Sequence, residues 1–490
     1  MYFIRILAAA VMLTAVADYF FYGHEPGWTL GGFLAVAGIC AWLCGERKPL
    51  SGPEKLLLVY IGLAAAVQII DPDGMTFMLG LAGLAMFRMS RAYGWEARSC
   101  RWLMRWIVFI LRGWLQPVLD LRKIDSGHCS GGVKNVIRLA LHWLVPVLVT
   151  VFFAGLLVAA NPLFQKWAGE IFPYLMKIEL PSPVRGIFWI FCFVWLYGWL
   201  RMEIGQRFAC CSEPDGEATV NRFDPAGRLR SEVVGRMMVR CLVLLNILFL
   251  IQNAVDIEYL WAGMRLPPGL TYADYAHHGA YPLIFTALLA GGMVTVSFAG
   301  NGTSPVWRRA RLLVMIWLGQ NVFLTASAML RLEKYIEAYS LTLMRVAALV
   351  WMALVVAGLI LIAVKIVAGK RNRWLVNANV LMVAVVLLIN GFIDWRGRVA
   401  TYNVRHCREM VSPAESNNRP QLDLRYLRYL GPAALPALRE LEKNPRTAAM
   451  KFKKEEDPAA IAKELWLDNA NTLVDWRAWS WRRSQLSKAD

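Results

Sequence analysis

Apolar runs long enough to cross a bilayer recur along this chain, and they decide most of what it can become. A span takes about 20 largely apolar residues to cover roughly 30 Å of hydrocarbon. Such runs fall near residues 2–22, 28–45, 56–71, 75–89, 139–160, 184–202, 237–261, 281–299, 311–331, 342–368 and 375–394. They predict an all-α polytopic membrane protein of about eleven transmembrane helices, because lipid offers no partner to a backbone group left unbonded within its own helix. Composition agrees, with 57% of the 490 residues hydrophobic and 18% charged.

The formal charge of +18 would raise the question of nucleic acid in a soluble chain. Here the basic residues fall in alternate loops, among them Arg47 and Lys48, Arg88 to Lys123, Arg201 to Arg236, Arg308 to Arg311, and Lys370 to Arg373. That alternation predicts an inner (cytoplasmic) membrane protein with its N-terminus in the cytoplasm and its C-terminus outside. The expected partner of the charge is membrane lipid, with no nucleic acid. The first run ends in ADYFFYGHEPGW, too bulky for a cleavage site, so an uncleaved anchor is expected. Nine cysteines form no disulfide framework, and Cys407 stands alone in the tail placed outside.

Three regions follow. Residues 1–138 hold about four spans and, from Trp102 to about residue 118, a helix expected to lie in the cytoplasmic interface with Arg105 and Arg112 on one face. Residues 139–394 hold about seven spans, the core bundle. Residues 395–490 are more polar and read as a small helical extracytoplasmic domain, with Gly431-Pro432 separating two short helices. Its end, DWRAWSWRRSQ, sets Trp476, Trp479 and Trp481 among arginines, fitted either to a headgroup layer or to neighbouring helices.

Polar groups inside spans need a reason. In span seven, CLVLLNILFLIQNAVDIEYLWAG, the spacing puts Asn246, Asn253, Asp256 and Tyr259 on one helical face. This seam leads into PPGLTYADYAHHGAYP, where Thr271 and Asp274 start a short helix carrying Tyr272, Tyr275 and His278. Three readings of that helix stay open: interfacial packing, the lining of a substrate or proton pathway, and a metal site. Adjacent His277 and His278 point about 100° apart and cannot both meet Asp274 on one ion unaided, so no metal or other cofactor is expected. Arg345 enters span ten one turn in, either snorkelling outward or pairing with an acid such as Asp256. No phosphate loop, HExxH, CxxC pair or nucleophile elbow occurs, and no catalytic residue is assigned.

Several segments carry a resemblance. AANPLFQKW, QNAVDIEYLWAGMRLPPGLTYADYAHHGAYPL, YIEAYSLTLMRV, FIDWRGRVATYNV, LDLRYLRYLGPAALPAL and DWRAWSWRRSQ occur in that order between Leu139 and the C-terminus. They resemble an uncharacterised bacterial family of polytopic membrane proteins, domain-of-unknown-function family 4173, related to family 4153. In its Tyr-x-x-x-Tyr-Gly-Leu-Thr-x-x-Arg element Ser340 stands here where Gly is usual, and Trp395-Arg396 replaces Pro-Asp. The resemblance implies a bundle of spans ending in a small polar domain, and no activity.

Two functions follow from different features. One is transport or handling of a small or lipid-linked solute along the seam. The other is an envelope sensor or accessory scaffold that binds an envelope protein partner through its C-terminal domain. A water-filled seam favours the first, and a dry, protein-packed seam the second.

Overall fold

Every predicted span that the structure covers is a helix. The structure, a computed structural model, describes residues 2–45, 49–95, 183–201, 225–262, 305–410, 419–444 and 457–488, with scattered positions between 102 and 117. No strand occurs among them, and the protein is an all-α polytopic membrane protein. The runs at 139–160 and 281–299 lie outside the described residues. The chain divides into two units, Met1–Ala209 with Asp475–Ser480, and Cys210–Val474 with Trp481–Asp490.

The first unit contains α1 (Tyr2–Phe21), α2 (Thr29–Leu43), α3 (Gly52–Ile70), α4 (Gly74–Tyr93) and α5 (Pro183–Arg201). Its starts are written locally. Ser51 and Glu54 form a reciprocal capping box ahead of α3, and the Asp73 carboxylate accepts from the Thr76 amide at 2.8 Å to open α4. Ile6, Leu13, Leu34, Leu84, Phe87 and Leu200 interlock as its core. Trp102 and Phe109 are buried in that core, and Gly113 abuts Gly198 of α5 so closely that a Cβ on Gly198 would fall 2.3 Å from the Gly113 carbonyl oxygen.

The charges of α4 correct the loop reading. Arg88 and Arg91 are buried within the helix, not solvated beyond it. Arg88 donates to Leu200 O at 2.5 Å and Ala41 O at 3.5 Å, in the last turns of α5 and α2, where carbonyls lack intrahelical partners. Arg91 lies 3.8 Å from Glu54, which also accepts from the Ser90 hydroxyl at 2.5 Å.

Asp475–Ser480 packs against the turn between α1 and α2. The Trp28 amide donates to Trp479 O at 2.8 Å, the Trp28 indole donates to Trp476 O at 3.0 Å, and His24 Nδ1 lies 2.6 Å from Asp475 Oδ2. Arg477 stands over the Tyr19 ring at 4.5 Å. Gly27 permits the approach, since a Cβ there would sit 2.2 Å from Arg477 O.

The second unit contains α6 (Pro225–Asp256) with a π turn (Ile257–Trp261), α7 (Pro305–Tyr339), α8 (Leu343–Val367) and α9 (Asn372–Phe392). Then come α10 (Trp395–His406), α11 (Leu424–Leu430), α12 (Leu435–Lys443), α13 (Pro458–Val474) and α14 (Trp481–Lys488). Leu242, Val314, Trp317, Leu318 and Leu359 join α6, α7 and α8. A separate core of Val399, Leu427, Leu430, Leu438, Leu441, Ile461 and Leu465 holds α10 to α13 together. Gly431, at φ 73°, ends α11 where a Cβ would be strained.

Among the described residues seven helices are long and apolar enough to cross a membrane: α1, α3, α5, α6, α7, α8 and α9. α2, at 15 residues, reaches only about 22 Å, a length a bilayer accommodates by local thinning. α4 has the length, at 20 residues, but its two arginines lower its apolar character.

Candidate functional site

On α6 three polar side chains are buried while several aliphatic ones are exposed. Leu244, Leu248 and Ile251 are exposed, as lipid-facing residues are, while Asn246, Asn253 and Asp256 are buried. These three face α7, as the helical spacing predicts. The Asn246 side-chain amide donates to Leu313 O at 3.1 Å and accepts from the Gln320 amide at 3.3 Å. Asn253 donates to Gln320 O at 3.3 Å. Both cross-helix contacts to backbone span 67 residues, so α6 and α7 run parallel, in register.

At the head of the seam the Asp256 carboxylate is fully buried and accepts from Arg331 Nη2 at 2.5 Å. Arg331 lies farther along α7 than the register alone would pair with Asp256, and its side chain leans back toward the helix N-terminus, the direction helical side chains favour. Gln252 donates to the other carboxylate oxygen at 3.2 Å. Beyond Asp256 the helix widens into the π turn, from which the Trp261 indole donates to Ser327 Oγ at 3.1 Å and stacks on Phe323. Asn321 and Thr325 return their hydrogen bonds to Trp317 O and Asn321 O of α7.

Of the two readings left open for Arg345, pairing with Asp256 is not the one observed. Arg331, not Arg345, neutralises it, and Arg345 lies outside the seam. Tyr259 falls in the π turn, and its side chain, like all of Thr271, Tyr272, Tyr275 and His278, lies outside the described residues. Among the described residues no three His, Cys, Asp or Glu side chains converge as a metal set would. Arg331 escaped the sequence reading because hydropathy drew the edge of span nine at that residue. An arginine at the end of one span and an acid near the end of another was the available signal.

Arg345 belongs to a second locus, the turn between α7 and α8. Its Nη1 donates to Tyr339 O at 2.7 Å and to Ser340 O, satisfying carbonyls at the end of α7, and its guanidinium lies 4.1 Å above the Tyr335 ring. Ser340 adopts φ 68°, the left-handed region. Glycine adopts this conformation without a Cβ penalty. Thr342 caps α8 by accepting from the Arg345 amide at 3.3 Å.

Short helices after α9 bond to the same turn. Asn403 of α10 accepts from Leu341 N at 2.7 Å and donates to Leu341 O at 2.8 Å. The Tyr426 hydroxyl of α11 accepts from Leu343 N at 2.9 Å, and Leu341, Leu343 and Val346 pack into the domain core. Tyr335, Tyr339, Ser340, Thr342 and Arg345 of the tyrosine-rich element thus build a joint between a membrane hairpin and the domain that follows it. α7 carries both loci, Arg331 one turn before Tyr335.

An all-α integral membrane protein with a buried polar seam, and with short helices after its last span bonded to the turn between α7 and α8, is the class these observations define. The chain belongs to the family described as Domain of unknown function (DUF4153), which it matches over residues 56–441. The motif resemblance pointed to family 4173, and the match falls on its relative. It begins in α3, well upstream of Leu139, and ends in α12, before DWRAWSWRRSQ. No curated protein and no solved structure matches the chain.

Proposed function

We propose that this is a bacterial inner-membrane sensor or accessory scaffold, with a periplasmic C-terminal domain that meets an envelope partner and bears on α7 and α8. The observation that carries this reading is the two-bond clamp of Asn403 on Leu341, with Tyr426 on Leu343 beside it. Main-chain atoms of the hairpin turn are bonded by domain side chains, so a displacement of α10 is felt directly by the helix that holds Arg331. The Asp256 seam then serves as the fixed joint between α6 and α7, closed to solvent and paired within the protein.

One observation favours a solute pathway instead. Asn253 Oδ1 and Gln320 Oε1 are buried acceptors without a donor among the described residues, which suits a passing hydroxyl or ammonium group. Complementation of a deletion strain separates the readings. With normal membrane levels of each variant, N403A/Y426F loses function and D256L/R331M keeps it under the sensor reading. The opposite ordering sinks that reading and supports the pathway.

A further inference from the structure

Trp481 opens α14, and the residue after it is tied to the end of the last membrane helix. Arg482 Nη2 donates to Phe392 O, at the last residue of α9, at 3.4 Å, and its Nη1 lies 3.8 Å from Asp394. Carbonyls in a helix's last turn lack intrahelical partners and favour a cation, so the arginine suits the place. α9 ends where its apolar run ends, so Arg482 marks the level at which the chain leaves hydrocarbon. α14 also lies against α13, through Asn469 Nδ2 donating to Arg483 O at 3.1 Å.

Two large apolar side chains of this segment are exposed. Trp481 is 52% exposed, and Val474, about a turn and a half beyond Asn469, is 85% exposed. Neither belongs to the domain core. Indole rings settle at the boundary between hydrocarbon and headgroups, while arginines keep their stems in apolar surroundings and their heads at lipid phosphate.

We infer that Val474 and Trp481 are a lipid anchor for the C-terminal domain. They rest in the headgroup layer of the leaflet where α9 ends, the level at which Arg482 is held by Phe392 O and Asp394. This holds whether the domain serves a partner or a solute pathway.

Arg482 and Arg483 are natural trypsin sites and provide the test. The full-length protein goes into nanodiscs of phosphatidylglycerol and phosphatidylcholine, where both membrane faces are open to protease, and into detergent. Cleavage after these arginines is expected to be about tenfold slower in nanodiscs. V474S/W481S should remove most of that difference while leaving the unfolding temperature in detergent unchanged, because both side chains are exposed. Equal rates for the unaltered protein in the two media overturn the anchor. A photoreactive amino acid at position 474 reads the surface directly: adducts with phospholipid support it, and adducts with protein alone overturn it.

Discussion

Arg331 holds the carboxylate of Asp256 at 2.5 Å across 75 residues of sequence, with Asp256 fully buried and the guanidinium nearly so. Removing one partner strands a charge, so D256L or R331M alone should each destabilise the fold by about 3–5 kcal/mol. The apolar pair D256L/R331M should recover most of that loss, since two buried charges pay desolvation that leucine and methionine do not. Thermal unfolding of the four proteins in detergent gives the coupling as a double-mutant cycle. A cycle with no coupling would mean that the two residues do not act together.

Ser340 bears a conformation that glycine adopts freely, at φ 68°. Left-handed backbone costs an L-residue roughly 1–2 kcal/mol, so S340G should raise stability by about 1 kcal/mol or slightly less, offset by the greater entropy of glycine in the unfolded chain. S340V, β-branched at the same φ, should lower it. The two unfolding midpoints must move in opposite directions.

Cys407 follows α10 and is buried, with its thiol 3.1 Å from Val404 O. Burial, with the Glu409 charge adding to it, pushes the thiol up to about 11. At neutral pH it should therefore react with maleimide only after unfolding, read by mass spectrometry of the peptide that contains it. Rapid labelling of the folded protein would show that the domain core opens there.

Gly27 and Asp475 govern the packing of Asp475–Ser480 on the α1 to α2 turn. G27L places side-chain atoms where Arg477 O lies, and hydrogen exchange at the Trp28 amide should accelerate by about tenfold or more.

The same amide reports a pH effect. The Arg477 amide and, after it, His24 hold the Asp475 carboxyl below its usual value, against the opposing effect of burial. A depressed carboxyl contributes stability that is complete above its unfolded value near 3.9 and is lost as pH falls through the folded value. Protection of Trp28 should decline more steeply between about pH 4 and pH 2 in the natural protein than in D475N. Parallel declines would remove Asp475 from the interaction.

The α6 half of the seam was legible because period alone puts Asn246, Asn253 and Asp256 on one face. Its α7 half was not, because hydropathy marks where a span ends without marking which helix lies beside it. Arg345 shows the same limit: its place one turn into span ten invited pairing with an acid, while its actual partners are carbonyls of the turn just before it. Arg88 and Arg91 looked like loop charges because a sequence does not say which helix ends an arginine will cap. The helices themselves were legible almost throughout, since lipid leaves the backbone few alternatives.

Asp475–Ser480 has a consequence for how the protein is made. A ribosome emits the α1 to α2 turn early, yet the acceptor for the Trp28 amide is the carbonyl of residue 479, which leaves near the end of synthesis. Until then the first unit waits with that amide and the Gly27 surface uncovered. A chain stopped anywhere before Asp475 therefore lacks a piece of its first unit, however far from the truncation that unit stands in sequence.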